Sequence, residues 1–171
     1  MPPRIDGNIH LVLVVSEAKR SAQWYSRVFD FVVVREGVEA VLLDSYGRET
    51  RFTSSILFHL PTRFFLGLAQ PSDAPTESFN WQRVGLQHFG FHVEQRSELD
   101  DWASHLDSLG IEHSPILPEG PGLLVRFHDP DKIPVEVFWA DWEYCEQLWT
   151  RTARARAQSA RERREQKKRL S

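Results

Sequence analysis

A single cysteine, Cys145, stands in a chain of 171 residues, which excludes an internal disulfide framework and points to a reducing compartment. No apolar run reaches the roughly 18 residues that a transmembrane helix needs. The opening MPPRIDGNIH lacks a charged stretch followed by an apolar one, so no signal peptide is expected. The location expected from these absences is cytoplasmic, with no membrane partner. Positive charge is scarce over most of the chain. Nine of the 21 Lys/Arg and two of the 24 Asp/Glu fall in residues 150–171, giving that tail +7 and leaving the remainder with 12 basic and 22 acidic residues, or −10. An acidic body argues against a duplex-binding domain, because phosphate recognition needs a basic face. The tail reads as a solvated or frayed helix rather than a nucleic-acid arm, since beyond Arg151 its only apolar residues are Ala and Leu170.

What is present is enough for a packed core. Hydrophobic residues make up 41% of the chain and charged residues 26%, which excludes wholesale disorder. Ile9–Val15 is β-branched and apolar and reads as a buried strand. Ser16 is the expected cap of a helix over Glu17–Phe29, with Ala18, Ala22, Tyr25, Val28 and Phe29 at helical spacing. Phe31–Arg35, Val38–Asp44, Phe52–Leu60 and Phe64–Ala69 read as strands. Ser45–Gly47 and Pro61 mark turns, and the polar Gln70–Asn80 reads as a linker.

The pattern then restarts. Leu86–Val93 reads as a strand, and Ser97 with Asp100 resembles a capping box. Leu99, Trp102, Ala103, Leu106 and Leu109 form a helical stripe closed by Gly110. Gly122–His128 and Ile133–Trp139 read as strands about the turn Asp129–Lys132. His88 follows His10 by 78 residues, and Trp102 follows Trp24 by the same 78. A strand–helix–strands unit is therefore expected twice. The predicted fold class is α+β. Module one spans about 8–70, a linker 70–84 and module two 85–140. Trp142, Cys145, Leu148 and Trp149 begin a C-terminal helix within 141–171.

Three polar residues fall in these apolar strands. His10 and His88 occupy equivalent places, and Glu136 lies between Val135 and Val137 in the last strand. A carboxylate in such a strand is costly unless it is paired or bound to a metal. Taken singly, each residue reads as a satisfied core polar group. Together, two imidazoles and a carboxylate make a facial set for Fe(II), Mn(II) or Zn(II) with positions left open for substrate. His92 shares strand parity with His88 and is read either as a rim residue or as the acid–base group. Arg126 and His128 share a face of their strand, without a sign of which face it is. His59, His105 and His113 read as structural or solvated.

The segments Asn8–Val15 with SEAKRSAQWYSRVFDF, GLQHFGFHVEQRSELDDWASHLDSLGIEHSPI, and FHDPDKIPVEVFWA resemble the vicinal oxygen chelate superfamily over nearly all of residues 8–140. That superfamily includes glyoxalases, bleomycin- and fosfomycin-resistance proteins and extradiol dioxygenases. The resemblance implies two βαβββ modules curling a mixed sheet around a metal cavity, with ligands at His10, His88 and Glu136. It implies a divalent metal, with Fe(II) or Mn(II) expected first and Zn(II) or Ni(II) as alternatives. It further implies a small-molecule substrate that chelates the metal through two oxygens, and a homodimer. The fourth ligand position of glyoxalases falls at Gly67, which has no side chain to coordinate; this lowers the isomerase reading and favours dioxygenase-like or thiol-transferring chemistry. A ligand-sequestering, metal-free protein is the non-enzymatic alternative. Module one is also longer. His10 to Gly67 is 57 residues against 48 from His88 to Glu136, so an extended hairpin is expected around Ser45–Thr53. Phe29–Asp30–Phe31 stands where the family has Leu-Gly-Phe.

Overall fold

The computed structural model describes residues 10–43, 46–73 and 78–169. Its elements run β1 (His10–Val14), α1 (Ala18–Phe29), β2 (Val32–Leu43), β3 (Glu49–His59), β4 (Phe64–Pro71), β5 (Phe89–Val93), α2 (Glu98–Ser108), β6 (Leu117–Glu119), β7 (Gly122–His128), β8 (Pro134–Ala140) and α3 (Trp142–Arg169). One four-stranded sheet has the order β1-β4-β3-β2 and the other β5-β8-β7-β6. The two orders are the same when the modules are aligned, so the strand–helix–strands unit does occur twice. The fold is α+β, with two four-stranded mixed sheets.

By compactness the chain forms two units. One holds α1 and β1 to β4, together with Leu106–His113 and Phe127–Val135. The other holds Gly90–His105, Ser114–Arg126 and the chain from Glu136 onward.

In the first unit, β1 runs parallel to β4 with His10 opposite Phe65 and Val12 opposite Gly67. β1 is half-buried and alternating, not the buried strand its composition suggests: Leu13 is buried while His10, Val12 and Val14 are exposed. The core beneath α1 is built from Ala18, Ala22, Tyr25, Val28 and Phe29, the stripe expected from helical spacing. Tyr25, Phe29 and Phe127 stack there, with Phe29 and Phe127 centroids 5.9 Å apart. Asp30 closes the helix in the left-handed conformation at φ 58°. It takes the role glycine has elsewhere in the family, which Asp tolerates better than most residues.

Two strands anticipated from sequence, Phe31–Arg35 and Val38–Asp44, are one. β2 runs through both, with irregular register between Val33 and Val38 and Gly37 at φ 61°. A bulge absorbs the glycine without ending the ladder. β2 and β3 form the long hairpin expected from the surplus length, paired from Val32–Phe58 out to Leu43–Glu49; Asp44, Ser45 and the linker residues 74–77 lie outside the described residues. The matching hairpin of module two is much shorter. There β6 contributes only Leu117, Pro118 and Glu119.

Ser16 does not cap α1. The N-cap is Glu17, which makes no side-chain cap bond. Instead Gln70 Oε1 accepts the backbone N–H of Ala18 at 3.0 Å, and Asp131 reaches in from the turn after β7 to the residue before the N-cap. Its Oδ2 accepts the Ser16 backbone N–H at 3.1 Å, and its Oδ1 accepts from Ser16 Oγ and, at 2.7 Å, from Arg20 Nη2. The capping box at Ser97 is also displaced: Glu98 accepts the Gln95 backbone N–H at 2.7 Å.

In the second unit, Leu99, Leu124, Val125, Val137, Ala140 and Cys145 are buried. α3 extends to Arg169, and its residues 151–156 are all exposed. No helix among the described residues is long and apolar enough to cross a membrane.

Candidate functional site

His10 opens onto a cavity of about 400 Å³ in the first unit. Its lining comes from one face of the sheet: Val12 beside His10 on β1, Phe52, Ser54 and Ile56 on β3, and Phe65, Gly67 and Ala69 on β4. Strand alternation explains the set, since each strand contributes every second residue. His10 is the one lining residue whose side chain is an ordinary metal ligand. Gly67 faces the same cavity, and a Cβ there would meet Val12 Cγ2 at 3.0 Å.

Glu136 is 5% exposed, between the fully buried Val135 and Val137 of β8. Its charge is met by a cation that sequence reading left unassigned. Arg126 Nε on β7 donates to Glu136 Oε1 at 2.7 Å, and Nη2 donates to Glu119 Oε2 at 3.1 Å. The bond to Glu136 raises the Arg126 pKa further above its already high ordinary value, with burial opposing it. Gly90 of β5 stands beside the carboxylate; a Cβ there would lie 3.6 Å from Glu136 Cβ.

His88 is exposed and precedes β5 instead of lying within it. The apolar pattern of Leu86–Val93 suggested a longer strand, but pairing starts at Phe89. The His88 ring bonds the neighbouring Gln87 side chain. His92 is on β5 and exposed, and its Nε2 accepts the indole N–H of Trp142 at 3.2 Å. That bond occupies the lone pair a base would use and leaves the proton on Nδ1, so His92 is set as a donor in this arrangement. Among the described residues, no group of three or more His, Cys, Asp or Glu side chains forms a metal cluster.

The sequence reading missed a second buried carboxylate. Asp129 is 2% exposed in the first unit. Its Oδ1 accepts the backbone N–H of Asp131 at 2.8 Å and of Ile133 at 2.9 Å, while Tyr25 Oη donates to Oδ2 at 3.0 Å. Burial pushes its pKa up to about 6 against the lowering effect of these bonds. Burial, then the Asp129 charge, raises Tyr25 well above the usual phenol range. The Asp-Pro-Asp turn was the visible signal; its depth was not.

The βαβββ order occurring twice is the fold that the sequence resemblance implies. The profile of the Glyoxalase/Bleomycin resistance protein/Dioxygenase superfamily matches residues 8–137. The chain belongs to this superfamily. Among solved structures, a glyoxylase/bleomycin resistance protein/dioxygenase domain from Frankia sp. EAN1pec is similar at 25% identity and TM-score 0.64, over 80% of this chain and 99% of that one. The fosfomycin resistance protein FosX from Listeria monocytogenes shares the fold at 16% identity and TM-score 0.59, over 85% and 99%. Lactoylglutathione lyase from Agrobacterium tumefaciens shares it at 20% identity and TM-score 0.55, over 81% and 96%. No curated protein matches the chain significantly. The superfamily contains many enzymes, and the fold is the part of the likeness these structures carry.

Proposed function

We propose that this superfamily member is a divalent-metal-dependent enzyme whose small substrate chelates the metal through two oxygens, with dioxygenase-like chemistry. The observation that supports the reading is superfamily membership over residues 8–137 together with a carboxylate, Glu136, buried between valines in the last strand. The donor types at His10, His88 and Glu136 are those of a site for Fe(II) or Mn(II), with Zn(II) and Ni(II) as alternatives; among the described residues they form no cluster, and Glu136 is held by Arg126. A bound metal would supply Lewis acidity toward the substrate oxygens. The chain's own contribution is then distinct. The cavity beside His10 offers Phe52, Ile56 and Phe65 to an apolar substrate body. His92 would hold the transferable proton on Nδ1, with Trp142 fixing the ring. Gly67 disfavours glyoxalase-like isomerisation, which would need a carboxylate or amide there.

We also read the protein as a homodimer. Val12, Val14 and Phe65 flank His10 with 56%, 61% and 36% exposure, an apolar face suited to cover by a second copy. A cytoplasmic location agrees with the reduced Cys145.

The non-enzymatic reading has one observation in its favour: Arg126 already neutralises Glu136, so the carboxylate is tolerable without metal. Untagged protein, purified anaerobically and assayed for metal and then for oxygen uptake on a catechol panel, separates the two. Wild-type protein should hold about one metal ion per chain, and Glu136→Ala, His10→Ala and His88→Ala should each lose it while remaining folded. Metal absent from the wild type, or retained in all three variants, would sink the assignment. Sedimentation velocity tests the dimer.

A further inference from the structure

The cavity that His10 opens onto has a hydroxyl at its other end. On β3, Phe52, Ser54 and Ile56 alternate onto the cavity face, while the buried Ser55 and Leu57 take the opposite one. Ser54 is 7% exposed, and its neighbours across the ladder are Val38 on β2 and Ala69 on β4. Apart from His10 and Ser54, no lining residue has a polar side chain. Among the described residues neither the Ser54 hydroxyl nor the His10 ring makes a hydrogen bond or ion pair. A hydroxyl set among apolar side chains without a partner costs free energy, and no described protein group offsets that cost.

The register of the sheet fixes how far apart the two polar groups stand. β4 lies between β1 and β3. His10 is opposite Phe65 on one side of it, and Ser54 is opposite Ala69 on the other. The two positions are therefore two strand spacings apart across the sheet and four residues apart along it, roughly 16 Å between their Cα atoms. The midpoint of that diagonal is Gly67, halfway from Phe65 to Ala69 and flanked by Val12 and Ile56. Gly67 has no side chain to rise between the two ends. A molecule lying along the diagonal thus meets apolar surface over its length and a polar group at each end. Two hydrogen bonds of about 2.8 Å cover about a third of the span, and the rest is longer than a single aromatic ring.

We propose that Ser54 is a specificity-determining residue: it hydrogen-bonds a polar group at the far end of an elongated apolar substrate whose near end lies at His10. The inference rests on the reading of this cavity as the substrate site, and on no metal. It narrows the substrate to a long molecule that is polar at both ends and apolar between them.

The test uses the full chain after EDTA treatment, as wild type and Ser54→Ala, isotope-labelled and titrated with three probes while amide chemical shifts are followed. Octanediol with a hydroxyl at each end spans the diagonal. Octanol has one hydroxyl, and pentanediol with one at each end is too short to reach both groups. All three should shift amides of β1, β3 and β4 in the wild type. Ser54→Ala should weaken octanediol about fivefold, the scale of one neutral hydrogen bond, and leave octanol and pentanediol unchanged. Its melting temperature should equal or exceed that of wild type, because the hydroxyl has no partner in the fold to lose. A lower melting temperature with all three probes weakened would make Ser54 a structural residue and overturn the proposal. Unchanged octanediol binding would also overturn it, as would probes that shift no amide of the three strands. These outcomes are read without metal, whereas the metal reading fails on the metal content of untagged wild-type protein, so the two failures are distinct.

Discussion

Tyr25 and Asp129 are 104 residues apart in sequence, yet the phenol donates to the carboxylate at 3.0 Å inside the core of one unit. The pair joins α1 to the turn after β7. Both groups are driven toward their protonated forms by burial. The turn that places Asp129 also places Asp131 beside Ser16 and Arg20, so one short segment both fills the core and ties down the approach to α1.

The first prediction concerns pH. The folded pKa of Asp129, about 6, lies above its ordinary value of 3.8. The stabilising contribution of the protonated form is therefore fully present below about pH 4 and is lost as pH rises through 6. At 1.36 kcal/mol per pKa unit the loss is about 3 kcal/mol. Asp129→Asn retains an Oδ1 for both backbone N–H groups and presents an amide to Tyr25. Urea unfolding between pH 4.5 and 7.5 should show the difference between wild type and Asp129→Asn shifting in favour of the variant as pH rises. A constant difference would contradict the assignment.

Asp131→Ala should destabilise the fold by about 1–2 kcal/mol, the scale of lost hydrogen bonds to a charged acceptor. Ser16→Ala should cost less, because the Ser16 backbone N–H still reaches Asp131 Oδ2. Thermal melts of the two variants check the order. A larger loss for Ser16→Ala would contradict that order.

Gly122 opens β7 against β8. A Cβ at this position would lie 2.0 Å from the Trp139 carbonyl oxygen and 2.8 Å from the Phe138 ring. Backbone cannot rotate away as a side chain can, so Gly122→Ala should cost about 3 kcal/mol or more, or shift the strand pairing. Amide exchange along β7 and β8 would report the loosening. Wild-type protection in the variant would contradict it.

Removal of the chain beyond Arg151 should leave the melting temperature within a few degrees. Residues 151–156 of α3 are exposed, and no large apolar residue occurs again before Leu170. A large drop would show that the tail packs on a partner.

The legible parts of the fold were those set by local periodicity. The α1 stripe, the Gly122–His128 strand and the recurrence of a strand–helix–strands unit needed only residue spacing, while the offset of 78 does not hold at the strands, since His10 opens β1 and His88 precedes β5. The misreadings have tertiary causes. β2 continues through Gly37 because β3 stays paired alongside it, and no pattern within β2 announces that. β6 is three residues long and contains Pro118, too short for alternation to register. His88 has the apolar neighbours of a strand residue but lies one position before pairing begins.

The same division holds at the candidate site. The residue types at His10, His88 and Glu136 are a property of the sequence, because a carboxylate between valines and a histidine in an apolar segment are anomalies wherever they occur. So is the missing ligand at Gly67. That Arg126 is the cation facing Glu136, that Trp142 holds the His92 ring, and that Asp129 is buried against Tyr25 were decided only by tertiary structure. A strand's alternation says which side chains share a face, but it cannot name what stands opposite them. Contacts between residues 10, 50 or 104 positions apart arise when sheets and helices pack, and their energies depend on burial that no short window of sequence contains.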